Sequence, residues 1–220
     1  MVKLAVLASG GGTNLQSIMD AIGSGRLDAR ISVVVSDNPR AFALERAKRG
    51  DIPAEVITAE AFPGREAFNA EIARVLKGYG VELVVLAGFM RIITKAVLDA
   101  FPMRVVNIHP SLLPSFPGLD VQKKALEHGV RFSGCTVHFV DEGVDSGPVI
   151  AQAVVPVLDD DTPETLSARI LAEEHRIYPQ AIQLLSEGRL TVKGRRVYVR
   201  GGSPSGWAVE NPRAEIFEGE

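Results

Sequence analysis

Short apolar runs rich in β-branched residues alternate with helix-like stretches along the first half of this chain, and this alternation limits the fold more than any other feature. Residues 3–8, 31–36, 82–87 and 105–108 are predicted strands, and apolar residues at helical spacing occupy connections such as 13–22. A strand that is apolar on both sides is buried on both faces of its sheet. We therefore predict an α/β fold with a mainly parallel twisted sheet and helices on both faces, a Rossmann-like arrangement.

The second half of the chain changes pattern after about residue 115. Two longer, partly alternating runs at 132–140 and 149–157 predict longer strands that extend the same sheet, with antiparallel pairing as one option. Thr162 is the predicted cap and Pro163 the first residue of a helix reaching about Ser186. We expect one domain over residues 1–200 and a flexible tail over 201–220.

Charge and cysteine content exclude several classes of protein. The net charge of -3 gives no basic excess for tight nucleic-acid binding. No apolar stretch approaches the roughly 18 residues that a membrane span needs. The single cysteine, Cys135, permits no internal disulfide, which fits a reducing compartment. We predict a cytoplasmic protein that binds neither nucleic acid nor membrane.

The segment from Asn107 to Pro114 holds the strongest chemical signal. Asn107 and His109 stand two apart at the end of a predicted strand, so their side chains project to the same side. An amide and an imidazole so placed can hold one reacting carbonyl between them, and Pro110 and Pro114 stiffen the exit. The alternative is a strand that ends in a turn, with His109 bonded to a nearby carbonyl.

A glycine-rich loop, residues 9–14, joins the first predicted strand to the first helix. Glycines let the backbone approach an anion, and a helix N-terminus offers free N–H groups. The loop does not match the dinucleotide-binding motif, because Leu15 occupies the position of its third glycine. It does not match the phosphate loop of nucleoside triphosphatases either, because no Gly-Lys-Ser/Thr follows. The loop therefore suits one phosphomonoester. The alternative is a tight turn in which Thr13 caps the helix.

Other polar residues are weaker candidates. Asp145 lies in an acidic loop and would orient His109 and favour its cationic form if the two met, although spacing alone does not bring them together. His138 is interpreted as structural, His175 as solvated or packed, and Cys135 as unreactive. The histidines show no metal-ligand spacing, so no metal is expected.

Taken together, four motifs resemble the phosphoribosylglycinamide formyltransferase family, the folate-dependent enzymes of purine synthesis. They are residues 9–15, residues 86–91, residues 107–114 and Asp145-x-Gly-Pro148, and the resemblance covers about residues 1–200. It implies transfer of a formyl group from 10-formyltetrahydrofolate to the amine of glycinamide ribonucleotide, without a metal. Both partners are small molecules, and the protein would be a monomer or a homodimer.

The resemblance also implies which residues act. It makes Asn107, His109 and Asp145 catalytic, with Asn107 and His109 donating to a tetrahedral intermediate and Asp145 tuning His109. Residues 1–100 would form the phosphate-binding half and 101–200 the folate and catalytic half. Substrate phosphate and glycinamide would contact Gly12, Thr13, Asn14 and Glu174. Folate would contact Asn107, Asp145 and a further set: Arg65, Met90, Arg91, Ile92, Ile93, Val140, Asp141 and Gly143.

Several competing functions share part of this pattern. Methionyl-tRNA formyltransferase and formyltetrahydrofolate hydrolase resemble the chain at residues 107–114. The first adds a tRNA-binding barrel and the second an N-terminal regulatory domain, and the sequence matches neither addition. A ligand sensor without turnover is disfavoured by the intact set of Asn107, His109 and Asp145. A nicotinamide dehydrogenase is disfavoured by the mismatch to the dinucleotide-binding motif at Leu15.

Overall fold

A nine-stranded sheet runs through the computed structural model, which describes residues 1–201. Its strand order is β3-β2-β1-β4-β5-β6-β7-β9-β8. The first five strands pair in parallel, β6 pairs antiparallel with both β5 and β7, and β7 pairs in parallel with β9. The predicted mainly parallel sheet with an antiparallel extension is confirmed. The strands are β1 (Val2–Leu7), β2 (Ala29–Ser36), β3 (Ala54–Val56), β4 (Leu83–Leu86), β5 (Val105–His109), β6 (Phe132–Phe139), β7 (Val149–Pro156), β8 (Leu190–Lys193) and β9 (Arg196–Val199).

Helices cover both faces of this sheet. The side chains of alternate β1 residues pack in two different cores, one on each face of the sheet. Leu4 and Val6 belong to one core, and Ala5 and Leu7 belong to the other. All four are fully buried, which explains why the strand lacks a polar face. The helices are α1 (Thr13–Gly23), α2 (Phe42–Arg49), α3 (Arg65–Gly78), α4 (Lys95–Leu98), α5 (Val121–Glu127) and α6 (Pro163–Ser186).

Helix α6 begins and ends where the sequence predicts. The Thr162 side chain accepts a hydrogen bond from the Thr165 backbone N–H at 3.3 Å, and the Thr165 hydroxyl accepts one from the Thr162 N–H at 2.9 Å. Pro163 occupies the first turn, where a missing N–H costs nothing. This reciprocal cap fixes the start of the helix that carries Glu174 and Tyr178.

Tyr178 ties α6 to the edge of the sheet where the candidate site lies. Its side chain is fully buried, and its hydroxyl lies 2.9 Å from the carbonyl oxygen of Leu86 and 3.1 Å from that of Val106. Leu86 is the last residue of β4, and Val106 lies in the neighbouring strand β5. Burial raises the pKa of Tyr178 well above its ordinary value, so the hydroxyl stays a donor. These two contacts fix the position of α6 relative to β4 and β5.

Backbone conformation sets the starts of two helices. Helix α5 starts at Val121, because the preceding Asp120 adopts a left-handed conformation with φ 57°. Helix α1 has Gly12 as its N-cap and no side-chain cap, so Thr13 does not cap it. Within residues 1–201, no helix has the length and apolar character needed to cross a bilayer. The predicted flexible tail, apart from Gly201, lies outside the described residues.

Candidate active site

A cavity of about 560 Å³ opens beside the ends of β4 and β5. Both Asn107 and His109 line it, as their spacing predicts. Its walls also carry the exposed apolar side chains of Met90, Ile92, Leu119 and Val144. A concave site with exposed apolar walls and a few convergent polar groups is typical of a small-molecule pocket. It fits a flat heterocycle with a polar reacting end.

His109 faces an acceptor at each ring nitrogen. Its Nδ1 lies 3.4 Å from the carboxylate of Asp145, and its Nε2 lies 3.0 Å from the carbonyl oxygen of Phe116. A neutral imidazole has only one N–H and satisfies only one of these acceptors. The cationic imidazole has one N–H for each of them.

The Asp145 carboxylate is fixed between two imidazoles. The Gly118 N–H donates to its Oδ2 at 2.9 Å, and its Oδ1 lies 3.8 Å from Nε2 of His138. Asp145 itself has φ 51°, a left-handed conformation that is uncommon for a residue with a side chain. Strained backbone of this kind collects at functional sites. The structure thus brings together the three residues that the sequence singles out.

The loop that carries Asp145 is held from several sides. Asp141 Oδ1 accepts hydrogen bonds from the Gly143 N–H at 3.1 Å and from the Ser146 hydroxyl at 2.6 Å. Arg195, in the β8–β9 turn, donates to the carbonyl of Ser146 at 2.8 Å. At Gly147 an added Cβ would overlap the carbonyl oxygen of a β6 residue, which explains the glycine in the Asp145-x-Gly-Pro motif.

His138 belongs to the site, contrary to its interpretation as a structural residue. It is buried in β6, directly opposite Asn107 in the sheet, and it lines the cavity. Its Nδ1 donates to the Phe139 carbonyl at 2.8 Å, so its Nε2 accepts from Asn107 Nδ2 at 3.2 Å. Burial lowers the pKa of His138, which keeps the ring neutral and able to accept. Only the strand register, which is not visible in the sequence, reveals this contact.

One hydrogen of the Asn107 amide remains after that contact. An amide NH₂ group carries two hydrogens, and His138 takes one of them. Because His138 accepts, the amide nitrogen of Asn107 is the atom that faces it, and this sets the side-chain orientation. Asn107 can therefore donate its second hydrogen to a ligand in the cavity.

Residues 110–116 form the fixed loop that the prolines predict. The Ser111 hydroxyl donates to the Ser115 carbonyl at 2.6 Å, and Leu113 N–H donates to Thr136 Oγ1 at 3.0 Å. Gln152 donates to the carbonyl of Leu113 at 2.9 Å. These contacts attach the loop to β6 and β7, and so they hold the carbonyl that His109 faces.

The glycine-rich loop turns its carbonyl groups away from the open side. Four successive carbonyl oxygens, those of residues 9–12, accept from Asn38 Nδ2, Ala43 N–H, Arg46 Nε and Gln16 N–H at 2.8–3.2 Å. The first N–H groups of α1 have no intrahelical acceptor. The loop therefore presents donors and a positive helix end, which suits an anion. Gly12 and Thr13 do not line the main cavity, whereas Asn14 does.

Asn14 and Glu174 join the glycine-rich loop to α6. Asn14 Nδ2 donates to Glu174 Oε2 at 2.7 Å, and both side chains line the cavity. Burial raises the pKa of Glu174, against the opposing effect of this hydrogen bond. Asn14 Oδ1 is buried and has no hydrogen-bond partner within residues 1–201. This pair offers polar atoms to a ligand that extends from the cavity toward the glycine-rich loop.

The residues assigned to folate by resemblance separate into two groups. Residues 90–93, Val140, Asp141 and Gly143 line the cavity. Arg65 is exposed at the start of α3 and does not line it. Arg91 donates to Asp37 at 2.7 Å, an ion pair at the rim of the cavity. Among residues 1–201 there is no cluster of three or more histidine, cysteine, aspartate or glutamate side chains arranged to hold a metal ion.

This chain belongs to the formyl transferase family, whose model matches residues 2–182. Phosphoribosylglycinamide formyltransferase from Escherichia coli is 40% identical over 211 residues, which is 95% of this chain and 100% of that protein. The crystal structure of glycinamide ribonucleotide transformylase 1 from Symbiobacterium toebii is 57% identical, with a TM-score of 0.89, over 90% of this chain and 94% of that one. The resemblance stated from the motifs is confirmed.

Some relatives are much longer than this chain. The trifunctional purine biosynthetic protein adenosine-3 of Drosophila pseudoobscura pseudoobscura is 50% identical over 190 residues, 86% of this chain. The match spans only 14% of that protein. This chain therefore corresponds to one part of the trifunctional relative and to the full length of the bacterial enzyme.

Proposed function

We propose that this protein transfers a formyl group from 10-formyltetrahydrofolate to the amine of glycinamide ribonucleotide in purine synthesis. The single observation that carries the proposal is the convergence of Asn107, His109 and Asp145 in one cavity. Family membership and the activity named for the bacterial relative support it. Both substrates are small molecules; the cytoplasmic location and the monomeric or homodimeric state remain predictions.

The reaction needs a stabilised oxyanion. The neutral substrate amine attacks the formyl carbon, and the carbonyl oxygen of the tetrahedral intermediate becomes negative. Asn107 donates its free amide hydrogen to that oxygen, and the positive charge of His109 stabilises it electrostatically. Asp145 holds the cation in place. Collapse breaks the bond between the carbon and the folate nitrogen, the proton lost by the amine reaches that nitrogen, and tetrahydrofolate leaves.

The two substrates would enter from different sides. The folate heterocycle would lie against residues 90–93 and the loop of Val140, Asp141 and Gly143, whose apolar and backbone groups suit a flat ring. The ribonucleotide would place its phosphate on the glycine-rich loop and its glycinamide near Glu174. Arg65, exposed at the start of α3, would meet the glutamate end of the folate, outside the cavity.

An absorbance assay tests the proposal directly. The purified protein is mixed with 10-formyltetrahydrofolate, with and without glycinamide ribonucleotide, and the conversion to tetrahydrofolate is followed. We expect conversion only with the acceptor, and formylglycinamide ribonucleotide as the product. Conversion without the acceptor would identify a hydrolase instead. Binding of both ligands without conversion would identify a sensor.

Replacing Gly12 by alanine is expected to raise the KM for glycinamide ribonucleotide by about tenfold. A Cβ at this position would lie 2.8 Å from the Cβ of Ala43, and the residue has φ 67°. The loop must then shift and misdirect its N–H groups. Steady-state kinetics with each substrate varied in turn measure the effect, and the KM for 10-formyltetrahydrofolate should stay within about twofold.

Gly23→Ala, at the other end of α1, is the matched control, because an added Cβ there meets no atom within 4 Å. This variant should keep both KM values. An unchanged KM for the ribonucleotide in Gly12→Ala would contradict the proposal that this loop binds the phosphate.

A further inference from the structure

Asn69 is a fully buried asparagine in α3 whose side-chain polar atoms are all used. Its Nδ2 donates to the carbonyls of Arg65 at 3.0 Å and Ile92 at 3.2 Å, and its Oδ1 accepts from the Thr94 N–H at 3.0 Å. The reverse amide orientation would set a donor against a donor and an acceptor against two acceptors. Burying an amide is costly unless it is fully hydrogen-bonded, so this network is specific.

The backbone that Asn69 holds has no regular secondary structure of its own. Residues 87–94 lie between β4 and α4 in neither a helix nor a strand. At one end, the Met90 N–H donates to Ser9 Oγ at 2.8 Å. At the other end, Asn69 takes the Ile92 carbonyl and the Thr94 N–H. Buried or partly buried backbone groups need partners, and here side chains of distant elements supply them.

The remaining backbone groups of this segment are available to a ligand. Within residues 1–201, the N–H and carbonyl of Arg91 and the N–H of Ile92 have no protein hydrogen-bond partner. Both residues line the cavity. Asn69 thus occupies two groups at the end of the segment, and the backbone groups of Arg91 and Ile92 stay free to pair with the edge of a heterocycle.

We propose that Asn69 is a positioning residue for the folate, an inference that rests on the proposed function. It fixes residues 90–94 in the one conformation that directs the free backbone groups of Arg91 and Ile92 toward the heterocycle. It also holds the carbonyl of Arg65, so the start of α3 and the cavity wall keep a fixed separation. Asn69 touches neither substrate and has no contact with the glycine-rich loop or with His109.

The test replaces Asn69 by alanine and by leucine. Both variants lose the three hydrogen bonds. Leucine also preserves most of the buried volume, so it still tests the proposal if the cavity left by alanine prevents folding. We expect the KM for 10-formyltetrahydrofolate to rise by about tenfold or more, as two or more lost positioning bonds imply. The KM for glycinamide ribonucleotide and the kcat at saturating folate should stay within about threefold.

Ile72→Val is the matched control. Ile72 lies one turn further along α3, is also fully buried, and is part of the apolar core rather than of the Asn69 network. It should lower the melting temperature modestly and leave both KM values unchanged. A merely structural role for Asn69 would make its variants behave like this control.

The outcomes separate this proposal from the proposed function. A wild-type protein that does not transfer the formyl group would refute the function, and the role of Asn69 with it. An active wild type with folded Asn69 variants of normal folate KM would refute the positioning role alone. Equal rises in both KM values would also refute it, since the effect would not be confined to the folate side. A rise confined to folate supports it.

Discussion

Replacing His109 by alanine is expected to lower kcat by about 100- to 1000-fold, the usual effect of removing one group that stabilises an oxyanion electrostatically. The ring faces Asp145 on one side and the Phe116 carbonyl on the other, and the proposed function places it beside the reacting carbonyl. Steady-state kinetics at saturating substrates measure the loss. Thermal unfolding of the same preparation should show a far smaller effect, which separates catalysis from folding.

His128→Ala is the control for this prediction, because His128 is exposed at the end of α5. It should keep kcat within about twofold. Asp145→Asn tests the coupling: it removes the negative charge that holds the ring, and kcat should fall strongly. Since Asp145 acts through His109, the double variant should lose little more than His109→Ala alone. Near-normal turnover by His109→Ala, or additive losses in the double variant, would contradict this arrangement.

Replacing Asn107 by alanine is expected to lower kcat by a similar factor, about 100-fold or more. The amide gives one hydrogen to neutral His138 and keeps one for the oxyanion. Alanine deletes the donor and leaves His138 Nε2 without its partner. The KM for each substrate should change by less than kcat, because the oxyanion exists only after attack.

Asn107→Asp sharpens this second test. The carboxylate has the size of the amide, so a role confined to packing would leave kcat nearly normal. A donor role makes the aspartate variant at least as slow as the alanine variant, because a negative group then faces the developing negative charge. An aspartate variant that retained most of the wild-type kcat would contradict the proposal that Asn107 donates to the oxyanion.

The architecture was predictable from local patterns because each pattern has a direct physical cause. Continuous apolar runs such as residues 83–87 require cover on both faces, and the two cores on either side of the sheet provide it. Thr162 and Pro163 fix the start of α6 through backbone rules that need no tertiary information. The cap of α1 was not predictable in the same way, since the close approach of α2, which leaves no room for a side chain at Gly12, is a tertiary contact.

In the candidate site, too, the contacts that follow from local spacing were predictable, and those that depend on tertiary packing were not. Asn107 and His109 share a strand, so their common direction follows from spacing. The meeting of Asp145 with His109 depends on how a long loop returns to the sheet, and the contact between Asn107 and His138 depends on the register of β5 against β6. The role of Asn69 depends on α3 packing against an irregular segment 25 residues away at Thr94. Such contacts arise only from tertiary packing.

Ser9 joins the two proposed substrate regions, the glycine-rich loop and the segment that contains Met90. Its N–H donates to the Gly88 carbonyl at 3.0 Å, its hydroxyl accepts from Met90, and its own carbonyl anchors the start of the glycine-rich loop. If one ligand shifts Ser9, it changes the affinity for the other, and reciprocity requires the same factor in both directions. The binding of the two substrates would then be coupled, and titrations in either order would reach the same ternary free energy.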